Sequence, residues 1–187
     1  MNHKELAGTQ KNAWLKVLTS QFPDKPKEEI RILDIGTGPG FFPVILAEAG
    51  YHVDAVDYTE GMLEKAKENA GDLCRNIRFL RMDAQKLDFE DNTFDVVISR
   101  NLTWNLEHPD VAYREWVRVL KVGGRLLNFD ANWYGYLYEE EQRKAYENDR
   151  KNVENNSLDD HYLCTDIERM ERIALQVPLS KINRPQW

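Results

Sequence analysis

An α/β fold with a doubly wound, mostly parallel sheet is predicted by two features of the sequence. Between residues 30 and 130 short apolar runs alternate with helix-length segments, and runs such as DVVIS (95–99) are apolar on both faces. Strands of a parallel sheet need that character because helices cover both sides. A third feature locates the chemistry: the first run leads into the turn Asp34-Ile35-Gly36-Thr37-Gly38-Pro39-Gly40 and then into a helical segment.

The elements follow in order. Residues 4–20 place Leu6, Ala13, Trp14, Val17 and Leu18 at mostly helical spacing, and the cluster Phe22-Pro23-Asp24-Lys25-Pro26 ends that helix. IRILDI (30–35), YHVDAVD (51–57) and IRFLRMD (77–83) read as strands, with FFPVILAEA (41–49) and EGMLEKAKENA (60–70) as the helices between them. FDVVIS (94–99) supplies a fourth strand, VAYREWVRVL (111–120) a helix and GGRLLNFD (123–130) a fifth strand. Beyond Asp130 the alternation stops. An aromatic stretch NWYGYLY (132–138), a charged helical stretch to about Asn156 and a short helix over 165–175 follow, with no further strand pair. The expected organisation is an N-terminal helix (1–26), a core (27–130) and a helical lid or acceptor-side segment (131–187).

Composition narrows the function. The 187 residues suffice for one sizeable core, 42% are hydrophobic and 30% charged, as in soluble globular proteins. No apolar run approaches the ~20 residues of a membrane span, and the first residues lack a signal-peptide core, so a cytoplasmic location is expected. A net charge of −7 without a growing Lys/Arg patch speaks against nucleic acid as a partner. Cys74 and Cys164 stand alone, without CxxC or Cys/His spacing, and neither a metal cluster nor a Ser/His/Asp or Cys/His constellation is visible.

The turn discriminates between ligands. Gly36 and Gly38 admit backbone angles closed to other residues, and Gly40 lets helix pack closely on strand. A dinucleotide fingerprint reads G-x-G-x-x-G, whereas here the third glycine comes one place early and Phe41 takes its position. Pro39 also withdraws one N–H from any phosphate cradle. The turn suits a ligand without phosphates. Asp57, closing the second strand, can accept hydrogen bonds from ribose hydroxyls, a feature shared with dinucleotide sites.

LDIGTGPG resembles the first motif, (D/E)-x-G-x-G-x-G, of the class I S-adenosylmethionine-dependent methyltransferases, of the type 11-like kind, at Asp34, Gly36, Gly38 and Gly40. The resemblance covers about residues 30–130 and implies a Rossmann-like fold with S-adenosyl-L-methionine as cofactor. It places Asp34, Gly36, Thr37, Gly38 and Gly40 around the donor, with Asp34 near its cationic amino-acid end. It further implies that Asp57 holds the ribose, that Tyr58 and Met62 pack on the adenine, and that Asp83 accepts the adenine amino group beside Ala84 and Gln85. Met62 at helical spacing with Leu63 and Ala66 reads equally as core, and Asp83 equally as an Asx turn or helix cap. Arg100, with Asn101, Thr103, Trp104 and His108, falls where such enzymes line the junction of donor and acceptor. Val122 stands where a proline often precedes the Gly-Gly.

The implied reaction is in-line methyl transfer to a small-molecule acceptor. Alignment of that acceptor and exclusion of water are its main demands. No catalytic base is singled out: His108 is a candidate by residue type, but Glu-His-Pro is also a loop before a helix. The Asn-Pro-Pro-(Tyr/Phe) signature of base methylases is absent. Trp133, Tyr134, Tyr136 and Tyr138 suit either an acceptor wall or a packed helix. Strands six and seven of the family are missing from the pattern. Either the natural chain continues beyond Trp187 or helices replace them. The alternatives to the enzyme are a non-catalytic donor-binding domain and an NAD-dependent oxidoreductase.

Overall fold

A computed structural model of the chain describes residues 9–132, 134–156 and 167–176. Five strands form one sheet in the order β3-β2-β1-β4-β5. They are β1 (Ile32–Ile35), β2 (Val53–Asp57), β3 (Ile77–Arg81), β4 (Phe94–Arg100) and β5 (Leu120–Phe129). Every pairing is parallel. The helices are α1 (Thr9–Thr19), α2 (Phe41–Glu48), α3 (Glu60–Ala70), α4 (Pro109–Val119), α5 (Glu140–Asn156) and α6 (Ile167–Ala174). The predicted α/β doubly wound class is the one observed, and no strand beyond β5 occurs among the described residues.

Burial explains the order. All four residues of β1 are buried and so are six of the seven in β4, so these two apolar strands take the middle. β3 carries exposed Arg78 and Arg81 and lies at an edge. The chain winds from β1 to β2 and β3 on one side, then crosses to β4 and β5 on the other. The strand order reverses beside β1, and in open sheets of this kind ligands bind at the carboxyl ends of the strands flanking such a reversal, here β1 and β4.

One core fills the space between the sheet and helices α1 and α2. Leu18, Ile32, Phe42, Ile45, Val53, Val96 and Ile98 are buried there, with Trp14, Leu127 and Phe129 packed against them. α2 is apolar all round, seven of its eight residues being buried, and Pro43 sits in its first turn where no N–H is required.

β5 starts three residues earlier than the pattern GGRLLNFD suggests. Its pairing with β4 is broken by a bulge: Phe94 faces Leu120, and the next partners are Val96 and Arg125. The residues between loop outward through Gly123 at φ 80°, leaving Val122 98% exposed. A stiff proline at position 122 is thus not needed for the strand beyond it.

The chain divides into two compact units. The first holds the described residues to Leu102 with Asp110–Phe129, and the second holds Thr103–Pro109 with the described residues from Asp130. In the second, Trp104, Tyr134 and Tyr136 pack ring against ring, and Tyr136 stacks on Tyr146 with centroids 4.1 Å apart. The Tyr136 hydroxyl donates to Glu171 at 3.1 Å. Thr103 is anchored through its N–H and hydroxyl by the Asp130 carboxylate.

Candidate functional site

The turn after β1 is shaped by backbone bonds to β2. The N–H groups of Gly36 and Thr37 both donate to the Val56 carbonyl, at 2.9 and 3.0 Å, and the Gly40 N–H donates to Thr37 O. Gly36, Gly38 and Gly40 have φ of 69°, 52° and 87°, a region that L side chains rarely enter. They differ in surroundings. A Cβ at Gly40 would lie 3.0 Å from Ala66 of α3, and one at Gly36 would lie 2.7 Å from the Leu102 side chain. At Gly38 a Cβ would meet nothing within 4 Å. Asn69 steadies the turn by donating to Pro39 O at 2.9 Å.

Two carboxylates converge on this turn. Asp57 closes β2, its Oδ2 accepting the Gly38 N–H at 2.8 Å and its Oδ1 the Thr59 N–H at 2.9 Å. Each oxygen keeps a further lone pair. Asp34 is 2% exposed. Burial pushes its pKa up to about 7, the neighbouring Asp57 charge adds to the rise, and Thr37 and Arg100 oppose it. The Thr37 hydroxyl lies buried beside that carboxyl but has no partner at hydrogen-bond geometry. Buried orphan hydroxyls are rare, and this one lies in the turn whose Gly38 borders open space.

Of the apolar candidates, Tyr58 is 67% and Met62 45% exposed. The buried face of α3 is Leu63, Ala66 and Ala70, so Met62 is not core. The Arg81 guanidinium lies 5.9 Å from the Tyr58 ring and donates to the Tyr58 carbonyl.

The segment after β3 is a tight turn. Asp83 Oδ1 accepts the Gln85 N–H at 2.8 Å, and Asp83 O accepts the Lys86 N–H, so the Asx-turn role is present. The Met82 N–H donates to Asp57 O, tying the ends of β2 and β3 together. Fully buried Trp116 of α4 donates its ring N–H to Ala84 O at 2.9 Å. The hydrogen bond that locks Ala84 has no signal in the sequence, since it joins residues 32 positions apart.

Asp34, Gly36, Thr37, Gly38, Gly40 and Asp57 thus come together in the structure, with Asp83 linked to Asp57 through Met82. Arg100 ends β4, its guanidinium carbon 5.2 Å from the Trp14 ring and 5.0 Å from the Phe41 ring. Asp54 is turned away into a bidentate pair with Arg78. In the second unit His108 is largely exposed beside Glu107. Trp133 and Cys164 lie outside the described residues. No group of three or more His, Cys, Asp or Glu side chains placed to hold a metal ion exists among the described residues. An S-adenosyl donor fits in kind: a buried carboxyl for a cationic end, a strand-end carboxylate with free lone pairs for a diol, and exposed apolar side chains for a purine.

The chain is similar to known methyltransferases. The family model described as a methyltransferase domain matches residues 33–128. A demethylmenaquinone methyltransferase of Clavibacter sepedonicus is 41% identical over 98 residues, 52% of this chain and 39% of that one. A ubiquinone/menaquinone biosynthesis C-methyltransferase of Ectopseudomonas mendocina is 39% identical over 103 residues, 52% of this chain and 40% of that one. The match spans less than half the length of each of these relatives. A solved S-adenosylmethionine-dependent methyltransferase from Mesorhizobium loti superposes with a TM-score of 0.54 at 27% identity, over 65% of this chain and 56% of that one.

Proposed function

Because the chain belongs to the methyltransferase domain family, whose class I members use S-adenosylmethionine, we propose that it transfers a methyl group from that donor to a small-molecule acceptor by in-line displacement. The observation that carries the reading is the convergence of buried Asp34 and strand-end Asp57 on the open Gly38 turn.

When bound, the donor supplies an electrophilic methyl group on a cationic sulfur. The residues of this chain supply the rest. Asp34 faces the donor's cationic end, where opposite charge is favoured in a site of low dielectric. Asp57 takes the ribose hydroxyls on its remaining lone pairs. Tyr58 and Met62 give apolar faces to the adenine, and the Asp83–Gln85 turn, held by Trp116, reads its edge. Gly36, Thr37, Gly38 and Gly40 keep backbone close to the donor without side chains in its way. Positioning of this kind contributes most of what an already activated methyl group needs.

The names of the relatives make a ring-bearing quinone precursor with a methyl-accepting carbon the first acceptor class to test. A cytoplasmic location belongs to the same proposal; no helix among the described residues is long and apolar enough to cross a membrane. A donor-binding domain without catalysis is the second reading, favoured by the lack of a strand after β5 among the described residues.

Calorimetric titration with S-adenosylhomocysteine, with NADH in a parallel cell, tests the donor site. Binding of S-adenosylhomocysteine alone supports it, and binding of NADH alone overturns it. Transfer of labelled methyl to a demethylated quinone then separates enzyme from binding domain.

A further inference from the structure

The connection from β3 to β4, residues 82–93, contains no helix or strand of its own, yet two side chains of α4 hold its backbone. Leu87, 4% exposed, is held from both directions. Its N–H donates to Glu115 Oε2 at 3.1 Å, and its carbonyl accepts from Arg118 Nη2 at 3.0 Å. Arg118 Nη1 donates to Phe89 O at 2.7 Å and to Asp91 Oδ1 at 2.8 Å. The two side chains also hold each other, Arg118 donating to both Glu115 carboxylate oxygens at 2.8 and 2.9 Å. They stand three residues apart and so are neighbours on one helix face.

An ion pair at a surface contributes little by its charge alone. The geometry here does more. A guanidinium carries five N–H donors in a rigid fork, and Arg118 makes five hydrogen bonds, two of them to main-chain carbonyls. Moving Leu87 or Phe89 would break bonds that no other donor replaces.

The held segment leads directly into the turn assigned to the adenine edge. Lys86, next to Leu87, donates its N–H to Asp83 O at 2.9 Å. Gln85 donates its N–H and its side-chain amide to Asp83 Oδ1, at 2.8 and 3.3 Å. Both of these bonds fall on Oδ1, so Oδ2 keeps its lone pairs. Together with the bond from Trp116 to Ala84 O, one turn of α4 fixes the segment from Ala84 to Asp91.

We propose that Glu115 and Arg118 are positioning residues for donor selectivity: paired on α4, they clamp Leu87 and Phe89, hold Asp83 in place, and so set the preference of the site for a base that bears an amino group. The proposal rests on the donor-site reading above and adds to it the residues that act through Asp83 without touching the donor.

The test compares S-adenosylhomocysteine with S-inosylhomocysteine, whose base carries a carbonyl in place of the amino group, by calorimetric titration. The unaltered chain is expected to prefer the adenosyl compound by about tenfold, since the carbonyl would face the Asp83 carboxylate. Arg118→Gln is expected to bring that preference down to about twofold, with nearly all of the loss on the adenosyl side. Val119→Ala is the control, because it removes fully buried methyl groups from the same helix and leaves the clamping side chains in place. It is expected to keep the preference. Amide hydrogen exchange supplies the second readout: the Gln85 and Lys86 N–H groups should exchange at least about tenfold faster in Arg118→Gln and at unchanged rates in Val119→Ala.

A preference intact in folded Arg118→Gln, an equal loss in Val119→Ala, or equal binding of the two compounds by the unaltered chain overturns the proposal. Should Arg118→Gln not fold, Glu115→Gln carries the test. It keeps an acceptor for the Leu87 N–H, removes the charge that holds Arg118, and is expected to lower the preference at least about twofold; an unchanged preference overturns the clamp. If the unaltered chain binds neither compound, the donor-site reading fails, and the exchange rates of Gln85 and Lys86 still decide whether the clamp fixes the turn.

Discussion

Gly38 and Asp57, 19 residues apart in sequence, are joined by a hydrogen bond of 2.8 Å from the glycine N–H to Asp57 Oδ2. The bond ties the middle of the glycine turn to the end of the neighbouring strand, so the carboxylate organises the turn and offers its remaining lone pairs outward. Asp57→Ala removes both roles. It is expected to weaken S-adenosylhomocysteine binding by about 1–3 kcal/mol, measured by calorimetry. Unchanged affinity would take Asp57 out of the site.

The glycines separate folding from binding. Gly40→Ala sets a Cβ 3.0 Å from Ala66 Cβ and 3.2 Å from its Cα at positive φ, which forces α2 from α3. A loss of about 2–3 kcal/mol in unfolding free energy is expected from strain and overpacking. Gly38→Ala meets open space, so only the backbone cost of about 1 kcal/mol is expected, together with a loss of donor affinity. Denaturant unfolding and calorimetry on both variants check the contrast, and equal affinity losses from equal destabilisation would contradict it.

Asp34 and Asp95 give stability opposite dependences on pH. Asp95, 3% exposed, feels burial as a rise, outweighed by Lys121, Lys25 and the Arg31 N–H, and its pKa is held down to about 2. Its contribution is complete above the unfolded value of about 4 and is lost as pH falls towards 2. Asp34 is raised to about 7, so its contribution is present below about pH 4 and is lost as pH rises through 7. Asp34→Asn is expected to be more stable than the unaltered chain at pH 8 by about 1–3 kcal/mol and to bind donor less well. Asp95→Asn should lose stability at pH 7 and flatten the acid limb between about pH 4 and 2. Thermal unfolding across pH 2–8 reads both; a stability curve of Asp34→Asn parallel to that of the unaltered chain would refute the first.

Trp116 anchors the turn after β3 through Ala84. Trp116→Phe keeps most of the buried ring but leaves Ala84 O without its 2.9 Å donor. About 1–3 kcal/mol of stability should be lost, with donor affinity falling severalfold as the Asp83–Gln85 turn loosens. Melting temperature and calorimetry measure the two, and undiminished affinity in a destabilised variant would show that the turn does not need the anchor.

Much of this was legible in the sequence for a physical reason. Strand and helix periods are local properties of apolar spacing, so LDIGTGPG, VDAVD and FDVVIS announced both the elements and the strand ends where ligands bind. The start of β5 was not legible, because Lys121, Val122 and Gly123 leave the ladder at a bulge that depends on β4. Met62 was balanced between core and ligand face, since helical spacing with Leu63 and Ala66 fits both. Only the packing of α3 on the sheet decided which side it took.

By itself, then, the sequence determined the alternation of strands and helices, the acidic and glycine positions of the turn, and the absence of a dinucleotide fingerprint, all of which are encoded within a few neighbouring residues. The tertiary structure alone decided that Asp57 would hold Gly38, that Trp116 would hold Ala84, and that Trp14 would lie against Arg100. Those contacts join residues 19, 32 and 86 positions apart. Their partners are selected by sheet register and helix packing, which no local pattern of residues contains.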